Sequence, residues 1–300
     1  MADHPSIKKY QLLFATKDKR FNITNLAQYH LAIHINDASF KVGCVNPTTT
    51  QCLLLEAYKL TYGCSDQRIQ AIEQLYKDHP ILVAKNWSTV TLCVGNQQYS
   101  LIPKQLFQEK KLADYLNFTC LAGTKALRHF THSALNVALA FAIDPWLLSW
   151  FQMTYQHTQL HTIHQASSLI QGTWTYLRSN KPSLLPNVFV FIESTHLHIT
   201  VIQKNQLLYY NRFEYANSDE LLHYILIVIR TLKLDTSLHE VSLGGDITKS
   251  SLVYKKARNY IHKVTLMSVP PYLKFRGIFS KKMIRAHLDV LSTHLCHLIL

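Results

Sequence analysis

One order of elements can be read twice along this chain, and that recurrence limits its possible folds more than any other feature. In the first reading, residues 29–35 (YHLAIHI) alternate like a half-buried strand, residues 36–39 (NDAS) turn, residues 40–45 (FKVGCV) return, and residues 52–60 form a third strand. A helix over residues 65–77 follows, with Ile69, Ile72, Leu75 and Tyr76 on one face, and then a strand at 90–94. In the second reading, residues 188–192 (VFVFI), 197–202 and 207–213 are three strands, the first two joined by Glu193-Ser194-Thr195. Asn217 with Glu220 three residues on predicts a capped helix start. That helix is apolar almost all round over residues 221–232 and leads into a strand at 241–243. The two readings are offset by roughly 150 to 160 residues. A duplicated strand-strand-strand-helix-strand unit predicts an α/β protein of two similar halves with a cleft between them, the default place for a binding site.

The division that follows is an irregular lead-in over residues 1–27, a first half over 28–180 and a second half over 186–300, with Pro182 and Pro186 at the boundary. Between the readings, residues 105–116 suit a short helix, and the apolar run 135–143 does not decide between helix and strand. Asp144-Pro145 predicts a helix start, Asp as cap and Pro at the first position. Residues 160–163 read as a strand, 167–177 as a helix, and 281–300 as one final helix with Ile284, Leu288, Leu291, Leu295 and Leu298 on a stripe.

The 48% apolar content is ample for a core, and the net charge of +13 on only 16% charged residues favours an acidic partner: nucleic acid, anionic lipid or an acidic protein face. The N-terminus has no apolar run fit for a signal peptide. Residues 221–234, the longest apolar stretch, are broken by His223, Arg230 and Lys233 and fall short of the roughly 20 residues that span a bilayer. The reading is a cytoplasmic protein without a transmembrane segment. Six cysteines with no CxxC pair read as packed thiols, Cys44 and Cys52 being the pair placed to meet across a hairpin. His157, His161 and His164 carry helix-face spacing, as metal sites do, yet no carboxylate accompanies them and residues 159–162 read as well as a strand, so solvated or core histidine is preferred and no metal is assigned.

With only 8 glycines in 300 residues, the pair Gly244-Gly245 stands out. It follows the strand 241–243 and precedes a helix whose buried side is expected to be Leu252, Val253, Ala257, Tyr260 and Ile261. Such a junction is either a tight turn or a place where helix N–H groups meet an anion.

Two halves of this order, with Leu243-Gly244-Gly245-Asp246-Ile247 after the fourth strand of the second, resemble the actin-like ATPase (ribonuclease H-like) fold, which also serves sugar kinases, Hsp70 chaperones and the actin homologues of pilus assembly and cell division. The chain is similar to an uncharacterised bacterial domain-of-unknown-function family, typical of the Bacteroidetes, with a duplicated fold of this kind. Asn211-Arg212-Phe213-Glu214-Tyr215, Asp219-Glu220 and His223-Tyr224 carry that likeness in the second half. Residues 29–35, Leu54-Leu55-Glu56, Ile102-Pro103 and Leu106-Phe107 support it in the first. The resemblance implies a nucleotide cleft in which two hairpin turns, each with Asp-x-Gly, hold the phosphates. Its positions here are Asp37 and Ser39 in the first turn, Glu193, Ser194 and Thr195 in the second, and Gly244, Gly245 and Asp246 on the purine side. Both turns keep a carboxylate and hydroxyls and lack the glycine. A Cβ there crowds a phosphate, and a carboxylate without metal repels it. No residue is placed as a general base for phosphoryl transfer.

Residues 247–288 contain no Asp or Glu but hold Lys255, Lys256, Arg258, Lys263, Lys274, Arg276, Lys281, Lys282 and Arg285, with Tyr272, Phe275 and Phe279 interleaved. That is the footprint of an acidic ligand surface. No helix-turn-helix, zinc-finger or RNA-binding fingerprint accompanies it, so an acidic protein or anionic surface is favoured over nucleic acid. The sequence thus predicts a non-catalytic pseudo-ATPase acting as an interaction or scaffold protein, without a cofactor. An ATP-Mg-binding switch and a nucleic-acid binder working through residues 247–288 are the alternatives.

Overall fold

Each run of the repeated pattern folds into its own sheet in the computed structural model, which describes residues 8–62, 65–118, 123–179 and 185–297. The chain opens with β1 (Tyr10–Lys17), β2 (His30–Ile35), β3 (Ser39–Asn46) and β4 (Gln51–Leu60), then passes through α1 (Ser65–Asp78) to β5 (Thr89–Val94). A detour through β6 (Tyr99–Pro103), α2 (Leu112–Asn117), β7 (Ala126–His132) and β8 (Val137–Ile143) returns by α3 (Pro145–Thr154) to β9 (Gln159–His164) and α4 (Gln165–Ser179). The second half is β10 (Asn187–Ile192), β11 (His196–Gln203), β12 (Gln206–Glu214), α5 (Ser218–Thr231), β13 (Glu240–Gly245), α6 (Leu252–Tyr260) and β14 (Lys263–Leu266). The chain then ends its described course in α7 (Lys281–Ala286), α8 (Leu288–Leu291) and α9 (Thr293–His297).

The sheets run β1-β4-β3-β2-β5-β9 and β12-β11-β10-β13-β14, with β6-β8-β7 as a small third sheet. In each large sheet a hairpin and a third antiparallel strand are joined by two parallel strands. The first hairpins match in detail. Asn36 N–H donates to Ser39 O at 3.1 Å, and Glu193 N–H donates to His196 O at 2.8 Å. Asn36 and Glu193 thus hold the same place in the two halves, 157 residues apart.

Local signals explain most elements. Asp144 caps α3 by accepting from Trp146 N–H at 2.8 Å, with Pro145 next. Asn217 caps α5 by accepting from Asp219 and Glu220 N–H, and Glu220 Oε2 accepts from Ala216 N–H at 2.8 Å. The undecided run 135–143 is resolved as the fully buried β8 from Val137 on, preceded by a 3-10 turn that ends at Leu135 and a left-handed Asn136. β2 differs from the half-buried reading: all six residues are buried, because β2 lies between β3 and β5 with the C-terminal helices over one face.

Four further differences have physical causes. The lead-in 1–27 is not irregular throughout, since β1 pairs with β4 on the sheet edge. The consecutive Leu12 and Leu13 break the alternation, and a bulge between Leu12 and Phe14 absorbs them. The final helix is three short pieces: His287 leaves helical geometry (φ −126°, ψ 25°) and its Nδ1–H donates to Met283 O at 2.7 Å. Ile284, Leu288, Leu291 and Leu295 still form the buried stripe, while Leu298 lies outside the described residues. On α6 the buried side is Tyr254 and Ala257, followed by Ile261, and Leu252 and Tyr260 face solvent. His161 and His164 lie on β9 and His157 in the bend before it, so their helical spacing is not realised.

Cys44 stands opposite Leu54 and Cys52 opposite Val45, so these two thiols are offset along the hairpin, buried and free. Burial pushes the Cys52 thiol up to about 12. Cys64 and Cys120 lie outside the described residues. Among the described residues no helix is long and apolar enough to cross a membrane.

Gly245 is needed for its backbone. Its φ is +89°, and an added Cβ would stand 1.9 Å from Ile192 O. Gly245→Ala is therefore expected to lower stability by about 2 kcal/mol or more, read as a shift in urea midpoint. An unchanged midpoint contradicts the assignment.

Candidate functional site

The two hairpin tips meet at a buried cluster of charge. Cross-strand registry sets Phe14, Ala57, Lys41 and His34 in one row across β1, β4, β3 and β2. In the second half the matching row is Arg212, His198, Phe191 and Gly244. Lys41 and His198 thus reach the interface from equivalent strands, with the C-terminal helices below them. Lys41 Nζ donates to Asp289 Oδ2 at 2.6 Å and to Glu193 Oε1 at 3.4 Å. Gln165, at the start of α4, donates its amide to both carboxylates, at 3.1 Å to Glu193 and 3.2 Å to Asp289. His198 Nε2–H donates to Glu193 Oε2 at 3.1 Å while its Nδ1 accepts from Tyr210 Oη–H at 2.8 Å. Asn36 Nδ2 comes within 3.5 Å of Glu193 Oε1, so one tip touches the other directly.

The electrostatics follow from this packing. Burial works against the charge on Glu193, but Lys41 and then His198 outweigh it, and the carboxyl is held well below its usual range. Asp289 is lowered in the same way, burial being opposed chiefly by Lys41. Burial also works against the charge on Lys41, and Asp289 and Glu193 reverse it, so its pKa is raised. His34 goes the other way: burial pushes it down to about 4 and keeps it neutral beside Asp289.

Above the cluster lies a cavity of about 480 Å³. The tips form its polar side with Asp37, Ser39, Glu193, Ser194 and Thr195, and Asp246 closes one end. Leu13, Phe14, Ala57, Met283 and Ala286 form an apolar side. Six of the eight residues expected at a nucleotide cleft therefore line one cavity. Their hydrogen bonds are largely internal. Asn36 Oδ1 accepts from Ala38 N–H at 3.0 Å, from Ser39 N–H at 2.8 Å and from Ser39 Oγ–H at 2.9 Å. Thr195 Oγ1 is bonded to His196 Nδ1 at 2.8 Å. Asp37 is exposed near Arg68, 3.6 Å away, and Asp246 pairs with Lys282 at 3.3 Å.

Gly244 and Gly245 are absent from the lining. Met267 Sδ and Leu288 Cδ1 pack where a Cβ of Gly244 would be, at 2.7 and 3.5 Å, and α6 begins only at Leu252, so the pair does not open directly onto a helix N-terminus. The cations expected on a partner surface are dispersed. Lys255, Lys256 and Arg258 lie on α6, and Lys256 pairs with Asp219 at 2.6 Å. Lys263 pairs with Glu240 at 2.6 Å, and Arg285 donates to Ile247 O at 3.0 Å. Lys281 starts α7, with Lys282 reaching the cavity. Lys274 lies beside β4, bonded through its backbone to Thr50 and Cys52, and Arg276 is close enough to act on Asp18.

Sequence reasoning missed Lys41, Asp289, His34, His198 and Gln165. Two had a readable signal: Lys41 is a lone charge inside an apolar strand, and Asp289 is the first acid after the acid-free run.

The chain matches known proteins over most of its length. A structure from Bacteroides thetaiotaomicron, described as a protein with actin-like ATPase fold and unknown function, aligns with a TM-score of 0.71 at 17% identity, covering 85% of this chain and 95% of that one. A chain of a PilM–PilN type IV pilus biogenesis complex aligns with a TM-score of 0.63 at 10% identity, covering 89% and 98%. No curated protein matches the chain. These likenesses establish the actin-like ATPase fold. The model of a family described as protein of unknown function, DUF3822, matches residues 18–264, which include both hairpin tips and the Gly pair, and the chain belongs to that family.

Proposed function

We propose that the protein is a non-catalytic member of the actin-like fold that works as an interaction or scaffold protein for an acidic partner. The observation that carries this reading is the state of the two phosphate turns. In the first, the amides of Ala38 and Ser39 are taken by the side chain of Asn36. In the second, Glu193 stands where a phosphate would approach, held by Lys41, His198 and Gln165. A triphosphate placed between the tips would lose the usual backbone donors and face Asp37, Glu193 and Asp246. The net charge of +13 supports the acidic partner, and the likeness to a chain from the PilM–PilN complex is consistent with a fold that takes part in protein assemblies.

The cavity of about 480 Å³ between the tips favours a second reading, a switch that binds ATP with Mg²⁺. A thermal-unfolding titration separates the two. Ligand at 100 times its Kd adds about 2.7 kcal/mol of stability. The expected result is no shift at millimolar ATP-Mg and no phosphate release above background. A saturable shift retires the first reading in favour of the switch, and turnover abolished by Asp37→Ala retires its non-catalytic part.

A further inference from the structure

We propose that the free edge of β1 and the apolar wall of the cavity beside it form a docking groove for an extended, acidic segment of a partner protein, its acidic residues lying along the edge and its apolar ones on that wall. This rests on the acidic-partner reading and gives it a place. The two five-stranded cores match in strand order, and β1 is the addition that has no counterpart among the described residues of the second half. It pairs with β4 on one side and forms the edge of its sheet, so its outer row of backbone N–H and C=O groups faces away from the ladder. Natural edge strands are usually blunted by charge or cover. Here the middle of the strand carries Leu12 and Leu13, 50% and 57% exposed. Leu13 sits at the bulge and lines the cavity with Phe14, Met283 and Ala286. A strand added to β1 would place an apolar side chain against that wall, giving the segment both main-chain pairing and a side-chain anchor.

Charge selects the occupant. Lys17 and Lys19 at the end of β1 are exposed and have no carboxylate partner among the described residues. Asp18 N–H donates to Leu53 O, and Cys52 N–H donates to Lys274 O, so the segment at Lys274 and Arg276 continues the same edge. Asp18, the acid at this end, is buried and bound by Arg20 at 2.8 Å. Lys8, which pairs with Asp78 at 4.0 Å, and Lys9 flank the other end, so the uncompensated charge lies mainly at the Lys17 end. A second copy of this chain fits poorly. Antiparallel pairing of β1 with itself would set Lys8 and Lys9 against Lys17 and Lys19 and join two chains of +13.

The test is selection of random peptides displayed on phage against the full chain, followed by fluorescence-anisotropy titration of the recovered peptides. The expected result is recovery of peptides with a net negative charge and apolar residues at alternate positions. Their Kd should rise about tenfold or more with Leu13→Asp, and likewise with Lys17→Glu combined with Arg276→Glu. The combination Lys255→Glu, Lys256→Glu and Arg258→Glu should leave it within about twofold. The surface charge reversal decides the matter if Leu13→Asp fails to fold. Acidic peptides whose Kd responds only to the α6 substitutions overturn this location and leave the acidic-partner reading standing. Recovery of no peptide, or of peptides without acidic bias, overturns both. A dimer in light scattering that Leu13→Asp splits assigns the edge to a second copy instead.

Discussion

Lys41→Met is expected to destabilise the protein by about 3–5 kcal/mol, the range for stripping one partner from a buried ion pair. The substitution keeps the length of the stem and removes the charge. Glu193 and Asp289, each bonded to Nζ in the native protein, would then share an interior site with Gln165, a neutral His34 and, on the Glu193 side, His198 and Asn36 as their remaining neighbours. Two anions left without their cation are far worse than none. The triple change Lys41→Met, Glu193→Gln and Asp289→Asn should therefore recover about 2 kcal/mol or more relative to Lys41→Met alone. Both amide oxygens still accept from Gln165, the one at position 193 also accepts from His198, and no unpaired charge remains. Urea unfolding of the three proteins, the native one, Lys41→Met and the triple change, measures this. A loss of under about 1 kcal/mol for Lys41→Met, or a triple no better than the single, would mean that water reaches the cluster freely. The tips would then be an open site rather than a strut.

That strut also shows where the sequence was legible. The duplication was, because a strand-strand-strand-helix-strand order leaves period-2 and period-3.6 traces that survive divergence of the individual residues. The hairpin tips were too, since turn residues carry their own chemistry, and Asp37, Ser39, Glu193, Ser194, Thr195 and Asp246 do come together around one cavity. What could not be read was what the tips hold. Glu193 is neutralised by a residue of the other half, and Asp289 arrives from a helix that closes the site from below. Contacts between residues 152 and 248 positions apart leave no local pattern. The Gly pair, legible as either a tight turn or an anion site, has packing and backbone reasons in the fold: Gly244 admits Met267 and Leu288, and Gly245 answers to a positive φ. β1 escaped because the bulge destroys the alternation by which a strand is found.

Acid should unfold this protein early, near pH 5, and its histidines rather than its carboxylates should be the cause. His34, His132 and His287 are each pushed down to about 4 by burial, and His164 to about 3. In every case a ring nitrogen is either committed to a neutral tautomer or, as for both nitrogens of His34 and Nε2 of His132, buried without a hydrogen-bond partner among the described residues. His132 Nδ1 meets Gln171 Oε1 at 3.1 Å, His164 Nδ1 accepts from Ala166 N–H at 3.1 Å, and His287 donates to Met283 O. In the unfolded chain these groups protonate near pH 6.5, while the folded protein refuses the proton until pH 4 or below. Stability is therefore complete above about pH 6.5 and falls as the pH drops toward the folded values, by about 1.4 kcal/mol per pH unit for each histidine. Four acting together remove about 8 kcal/mol by pH 5, comparable with the whole stability of a typical domain. Glu193 and Asp289 have lowered values, so what they contribute is lost only at still lower pH. Stability from urea unfolding, plotted between pH 7 and 5, should steepen from a slope equivalent to about one proton taken up on unfolding at pH 7 to about three to four near pH 5. His132→Gln, if it folds, should reduce that slope by about one proton. A stability that stays flat from pH 7 to 5 would show that water already reaches these rings, and the packing that keeps them neutral would have to be redrawn.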